Sequence, residues 1–323
     1  MSFGQFASTT QFYLYGKKYC TSTGWEAAHS EYPSPDILDD IDLSGNVYVV
    51  TGANSGIGYG IAGYLATRRA RVYIVCRSAQ RAQAAQENMV KESNNDKIHV
   101  LLCDCSLEVS AFVSHVAGLE GSPRLHGLVC NAGALLNDLS VTAEGVEATL
   151  AAHLLFGTYL LGQLALPLLQ STPGGRLIAV SSGGMYNTKF PEWETAAALR
   201  GKYNGQMAYA YAKRGQVLLC ERWSEMYKDV KFVSCHPGWV DTPGVDSAFG
   251  DTKKYLEPLR TVWQGCEGIA WLAVAPFSAL QSGAFYLDRA PSRKHLAGVF
   301  FTEGSFTKNS RAEVDTLMHH LQQ

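Results

Sequence analysis

Two side chains four positions apart, Tyr209 and Lys213 in Tyr209-Ala-Tyr-Ala-Lys213, could together move a proton. That spacing puts them on one face of a helix. A free phenol titrates near pH ~10, too high for a base at neutral pH, and a nearby ammonium favours phenolate and lowers that value. Taken alone the pattern is common and decorates many surface helices. Its weight comes from position, after an apolar run ending Val180-Ser181-Ser182 and before one ending Cys235-His-Pro-Gly238.

A second constellation could hold an anion. Thr51-Gly-Ala-Asn-Ser-Gly-Ile-Gly58 stands between a short apolar run and a helical stretch. A nucleotide pyrophosphate meets a helix N-terminus at such a place. Gly52, Gly56 and Gly58 allow unusual φ values and close backbone approach, while the N–H groups around Asn54, Ser55 and Ile57 favour negative charge. The spacing is G-x-x-x-G-x-G rather than G-x-G-x-x-G. Arg77 follows the next apolar run, where an acid would bond the ribose 2′-hydroxyl of NAD. A guanidinium there suits a 2′-phosphate, and no acid occurs between Arg71 and Gln86, so NADP(H) is favoured over NAD(H).

Short runs rich in Val, Ile and Leu at 46–50, 71–76, 98–103, 125–130, 176–181, 231–235 and 284–287 alternate with helix-length segments such as 58–68 and 79–91. Several are apolar on both faces, which predicts a parallel sheet covered on both sides. The expectation is an α/β protein with a single doubly wound parallel sheet of the Rossmann type. Residues 1–42 would form an aromatic N-terminal arm and 43–323 the NADP-binding catalytic domain. Phe3, Phe6, Phe12, Tyr13, Tyr15 and Tyr19 crowd the arm, which carries no acid before Glu26 and includes Lys17 and Lys18. Such an arm can lie on the domain surface or contact a membrane or partner.

Composition excludes other classes. With 27 Lys+Arg against 29 Asp+Glu the formal net charge is −2, which argues against a nucleic-acid binder. The 46% hydrophobic content is enough to offset chain entropy, so disorder is excluded. The 8 cysteines are scattered, with no metal-ligand spacing, and read as reduced thiols in an intracellular, cytoplasmic protein, with organelle or membrane-surface association left open. Residues 148–169 are uncharged and long enough to span a bilayer. His153, Gln163, Gly157, Gly162 and Pro167 within them favour a buried helix instead.

These segments, with Asn131-Ala-Gly133, Ser182 and Pro237-Gly238, resemble the short-chain dehydrogenase/reductase family in order and interval over residues 43–288. The strings Val180-Ser-Ser-Gly-Gly-Met185, Glu221-Arg-Trp223 and His236-Pro-Gly-Trp-Val-Asp-Thr-Pro-Gly-Val245, with the arm's Gly24-Trp-Glu26, resemble the branch that contains its member twelve. The resemblance implies that Tyr209 exchanges a proton with the substrate oxygen, that Ser182 bonds that oxygen, and that Lys213 binds the nicotinamide ribose. It further implies that Asp104 contacts adenine, that Asn131, Gly133, Pro237 and Gly238 line the cofactor cleft, and that Thr242 reaches the carboxamide. The implied reaction is hydride transfer to or from a carbonyl or alcohol carbon of a small, lipophilic molecule such as a steroid, retinoid or fatty-chain carbonyl. A homo-oligomer is compatible with it.

Two departures stand out. Where the family usually places an Asn whose backbone anchors a relay water, this chain has His153, with about one extra residue before Gly157. The interval from Ser182 to Tyr209 is long and holds Tyr186, Phe190, Trp193 and Tyr203, which reads either as an aromatic lid over an apolar substrate or as packed surface. A substrate lobe is expected from that interval together with residues 243–260. The rival to an enzyme is an NADP(H)-binding scaffold or sensor that has lost turnover, supported by His153 alone.

Overall fold

The computed structural model describes residues 3–104, 124–296 and 302–323. Its centre is an eight-stranded sheet in the order β3-β2-β1-β4-β5-β6-β7-β8. The strands are β1 (Val47–Thr51), β2 (Arg71–Cys76), β3 (Ile98–Leu102), β4 (Gly127–Cys130), β5 (Arg176–Val180), β6 (Lys231–Cys235), β7 (Phe285–Leu287) and β8 (Ala290–Ser292). All neighbours pair in parallel except β7 and β8. Every residue of β1, β4 and β5 is buried, so these runs show no alternation and need helices on both faces. The antiparallel β8, exposed and containing Pro291, was not expected from the sequence; it terminates the sheet without extending its core.

One layer contains α4 (Gly56–Thr67), α5 (Ala79–Ser93) and α10 (Val262–Val274), which bury Ile61, Leu65, Met89, Ile269 and Leu272 against the sheet. The other contains α6 (Ala148–Gln170), α8 (Gly205–Met226) and α11 (Arg311–Gln322), packed through Leu150, Leu154, Leu169, Trp223, Leu317 and Leu321. A short helix, α7 (Trp193–Ala196), precedes α8, and α9 (Pro243–Phe249) follows β6. Helix α6 is the only described helix long and apolar enough to cross a membrane, and half of its most apolar stretch is buried against the rest of the protein. Its segment Ala151–Leu160 is a π-helix. Gly157 is required there, because Ala152 O occupies the place of a side chain.

The first 42 residues form α1 (Phe3–Tyr19), α2 (Ser22–His29) and α3 (Ile37–Asp40). They are fastened to the domain by two buried arginines. Arg260, 1% exposed, pairs bidentately with Asp288 at 2.5 and 2.7 Å and donates to Tyr19 O, Cys20 O, Thr21 O and Pro237 O. Breaking such a buried pair by removing one partner costs about 3–5 kcal/mol. Arg289 grips Asp36 with both oxygens, at 2.9 and 2.6 Å, and also meets Glu267.

Candidate functional site

The strand order reverses between β1 and β4, which opens a crevice at the carboxyl ends of the strands. The glycine turn lies there. Gly52 has φ +67 and Gly56 φ +55, conformations suited to glycine. A Cβ on Gly52 would stand 2.9 Å from Ala132 Cα, and one on Gly58 would meet Gly52 O and, at 2.6 Å, Asn131 Nδ2. Thr51 locks this turn to β4, its hydroxyl accepting from the N–H groups of Asn131 and Ala132, both at 2.9 Å. Asn131 returns its side-chain amide to Thr51 O at 2.9 Å. These bonds fix the shape of the turn from within the chain.

Other predicted cofactor residues stand around it. Ser55 is the N-cap of α4 and its side chain makes no capping bond; Asn54 and Ile57 are half-buried beside it. Gly52 N donates to Val75 O at 2.8 Å, which sets the end of β2 against the turn, so exposed Arg77, just past β2, emerges beside it. Asp104 follows β3 and is half-buried. Thr242 caps α9 and brings its methyl to 3.7 Å from where a Gly56 Cβ would stand. Pro237 and Gly238, just past β6, are held by Arg260. The ends of five strands, β1, β2, β3, β4 and β6, thus carry the predicted cofactor residues. The close-packed glycines, the phosphate-suited Arg77 and the α4 N-terminus fit a dinucleotide.

Ser182 follows β5, and its hydroxyl accepts from Gly184 N at 3.1 Å; a Cβ on Gly184 would stand 3.6 Å from both that hydroxyl and the Tyr209 ring, so the two side chains flank one point. Burial raises the Tyr209 pKa, and the nearby Ser182 hydroxyl opposes that. The lowering expected from Lys213 is not expressed in this arrangement. Its Nζ stands over the face of the Tyr209 ring, 5.5 Å from the centroid, and donates to Val180 O at 2.7 Å. Lys213 is 3% exposed, and loss of hydration pushes its own pKa down to about 7. Sequence reasoning missed Arg214, although its charge adjoins Lys213 on an otherwise apolar turn. It donates to Met185 O at 2.6 Å and to Thr188 O at 3.2 Å, which holds the loop after Ser182.

The long interval before Tyr209 differs from the expected lid. Tyr186 and Phe190 are buried, Trp193 stacks on His320 at 5.0 Å, and the Tyr203 phenol bonds Glu147 at 3.0 Å. Tyr186 and Phe190 thus pack within the apolar core rather than at a cleft mouth. A cavity of about 750 Å³ lined by Tyr203, Met207, Tyr211 and Phe306 adjoins them. Met207 and Tyr211 lie two residues either side of Tyr209, hence on the opposite face of α8. The wall near Ser182 comes instead from α1. A Cβ on Gly183 would overlap the Phe12 ring, and Phe12 packs edge-on to Trp239 at 6.0 Å.

Among the described residues no group of three or more His, Cys, Asp or Glu could hold a metal. Cys20, Cys76, Cys130, Cys220, Cys235 and Cys266 are free and buried, and Cys103 is buried; Cys105 lies outside the described residues.

Residues 46–253 match the family model described as short chain dehydrogenase. The chain is 37% identical over 287 residues to dehydrogenase/reductase SDR family member 12 of Bos taurus, covering 87% of this chain and 88% of the relative. It is 32% identical over 256 residues to retinol dehydrogenase 12 of Bos taurus, covering 77% and 79%. A putative short chain dehydrogenase of Escherichia coli CFT073, solved as a complex with NADPH, superposes with a TM-score of 0.61 at 22% identity, covering 78% of this chain and 99% of that one.

Proposed function

Since the chain belongs to the short-chain dehydrogenase/reductase family and is an oxidoreductase of it, we propose that it interconverts an apolar carbonyl compound and its alcohol with NADP(H). The closeness of Ser182, just past β5, to Tyr209 on α8, beside the glycine crevice, carries this reading. Tyr209 gives its proton to the carbonyl oxygen in reduction and takes it back in oxidation. Ser182 holds that oxygen in reach of the phenol. Lys213 would hold the nicotinamide ribose hydroxyls and place a positive charge near the forming phenolate. A bound nicotinamide would supply or accept the hydride.

Gly52, Gly56 and Gly58 would admit the pyrophosphate, with N–H groups near Asn54, Ser55 and Ile57 facing it. Arg77 would pair with the 2′-phosphate and Asp104 would meet adenine. Asn131, Gly133, Pro237, Gly238 and Thr242 would border the nicotinamide half. NADPH in the Escherichia coli structure and the retinol named for one relative agree with this reading, as does the aromatic wall of Phe12 and Trp239.

A panel of apolar ketones and aldehydes, each assayed with NADPH and NADH by absorbance, tests the proposal. Turnover of at least one compound with NADPH, lost in Tyr209→Phe, is expected. NADPH binding without turnover across the panel would favour a scaffold.

The outer face of α1 also supports a peripheral contact with anionic lipid. Phe6 and Leu14 are each 62% exposed there, alongside Tyr13, Lys17 and Lys18.

A further inference from the structure

The arm brings a ring to the residue that follows Ser182. Gly183 stands between Ser182 and Gly184, and a Cβ on it would overlap the Phe12 ring of α1. A Cβ on Gly184 would stand 3.6 Å from the Ser182 hydroxyl and from the Tyr209 ring, so the three residues after β5 lead from the phenol to Phe12. Another flank of Tyr209 is already filled, since His153 meets its ring edge-on at 5.2 Å and takes the space beside Gly133. Phe12 lies outside residues 46–253, the part that matches the family model, so it is a feature this chain adds to the site.

That placement is built rather than incidental. Phe12 meets Trp239, just past Gly238, edge-on at 6.0 Å, and Tyr186 at 5.8 Å. One turn further along α1, Gly16 lies so close to Trp239 that a Cβ would overlap the indole. Glycine at 16 and at 183 is what lets the helix come this near. The end of α1 is then tied down from below: Trp239 N donates to Cys20 O at 2.7 Å, Ser22 N to Pro258 O at 3.0 Å, and Arg260 to Tyr19 O at 2.7 Å. The helix therefore bridges the segments that follow β5 and β6, and Phe12 and Trp239 meet between them as a closed aromatic corner. Phe12 nevertheless stays half-buried, an apolar ring left partly open beside a polar pair. Ligand pockets have this make-up, apolar walls around a few placed polar groups.

We propose that Phe12 is a specificity-determining residue: its ring is the wall against which the apolar group on the substrate's carbonyl carbon lies. With the carbonyl oxygen at Ser182 and Tyr209, a straight chain passes along the glycines 183 and 184, whereas a ring or branch on the carbonyl carbon meets Phe12 and is turned away. A misfit of this size in an apolar pocket changes kcat/KM by about ten-fold or more. The inference deepens the proposed carbonyl–alcohol interconversion and rests on it.

The test compares two methyl ketones, one carrying a straight alkyl chain and one a cyclohexyl group on the carbonyl carbon. Phe12→Ala should raise kcat/KM for the cyclohexyl ketone relative to the straight-chain one by about ten-fold or more, with NADPH affinity within about two-fold of the parent. Should the Ala variant not fold, Phe12→Leu should move the same ratio by about three-fold. Binding without turnover gives a second reading. Calorimetric titration of each ketone into the NADPH complex of Tyr209→Phe, with and without Phe12→Ala, should show the same change in the ratio of Kd values. The seating of α1 is checked from the other side by Gly183→Ala, whose methyl displaces the Phe12 ring. It should lower the melting temperature of the parent and do so much less in Phe12→Ala. An unchanged ratio in an active enzyme, or an equal loss for both ketones, means that Phe12 only packs, and overturns the proposal. A parent that reduces no apolar carbonyl fails earlier, at the reading on which the inference rests.

Discussion

Lys213 lies beneath the ring of Tyr209 but gives its hydrogen bond to Val180 O, so the two partners meet through the π face rather than through the phenol oxygen. The ammonium is bought out of water at a cost that the unfolded chain does not bear. Unfolded, the amine holds its proton to about pH 10.5; folded, it loses it near about 7. Between these values the unfolded state binds more protons, so stability rises with pH. Lys213→Met removes that dependence. The melting temperature of the variant minus that of the parent should be largest near pH 6 and shrink steadily toward pH 10. A difference that is flat or grows with pH would contradict a buried, destabilised ammonium.

The closeness of Ser182 to Tyr209 predicts an ordered loss of function. Tyr209→Phe removes the proton donor and should lower kcat by about 10²–10⁴-fold. NADPH affinity should stay within about three-fold, because the ring and its contact with His153 remain. Ser182→Ala should cost less than Tyr209→Phe, since the phenol survives and loses one partner. Stopped-flow reduction of an active carbonyl measures both. Retained turnover in Tyr209→Phe would remove this residue from the chemistry.

The sheet was legible because its strands are read one at a time. Runs such as Arg71–Cys76 and Lys231–Cys235 are apolar on both faces and flanked by helix-length segments, and the structure returns both with those bounds. The glycine turn was legible for the same reason, being set by local φ requirements at Gly52 and Gly56. Contacts between distant segments were not. Nothing in the spelling of residues 1–42 says that Arg260 grips Tyr19 O or that Phe12 packs on Gly183. The extra residue before Gly157 could be counted, but its absorption as a π-helix, with the His153 carbonyl saturated by Thr158 and Gln216, depends on α8 packing against α6. The aromatic interval misled because ring content does not tell a cleft from a core; Tyr186 and Phe190 chose the core.

Arg77 is exposed just past β2, whose Val75 O accepts from Gly52 N of the glycine turn at 2.8 Å. Charge-assisted, forked hydrogen bonds contribute about 1.5–3 kcal/mol, or about ten- to a hundred-fold in affinity. Arg77→Asp should therefore weaken NADPH by at least that factor through lost pairing and like-charge repulsion, and leave NADH unchanged or improved. Parallel titrations of both cofactors check this. An unaltered NADPH to NADH ratio would reject the 2′-phosphate assignment.

Helix α1 has two faces with different work to do. Phe12 and Gly16 point inward, against Gly183 and Trp239, while Phe6, Tyr13, Leu14 and Lys17 form an outward stripe. The Tyr13 hydroxyl donates to the carbonyl of Tyr255, itself exposed, with Lys254 over its ring. Aromatic and basic groups on one surface suit the headgroup region of an anionic leaflet, where each Lys contributes about 1 kcal/mol. Vesicles containing anionic lipid should sediment the protein, and purely zwitterionic ones should do so weakly. Changing both Lys17 and Lys18 to Gln should weaken the anionic binding by about ten-fold or more, and changing Phe6 and Leu14 to Gln should weaken it further. None of these residues touches the proposed proton path, so reduction of a water-soluble carbonyl should be unaffected. Equal sedimentation of parent and variants would leave α1 as a wall of the active site and nothing more.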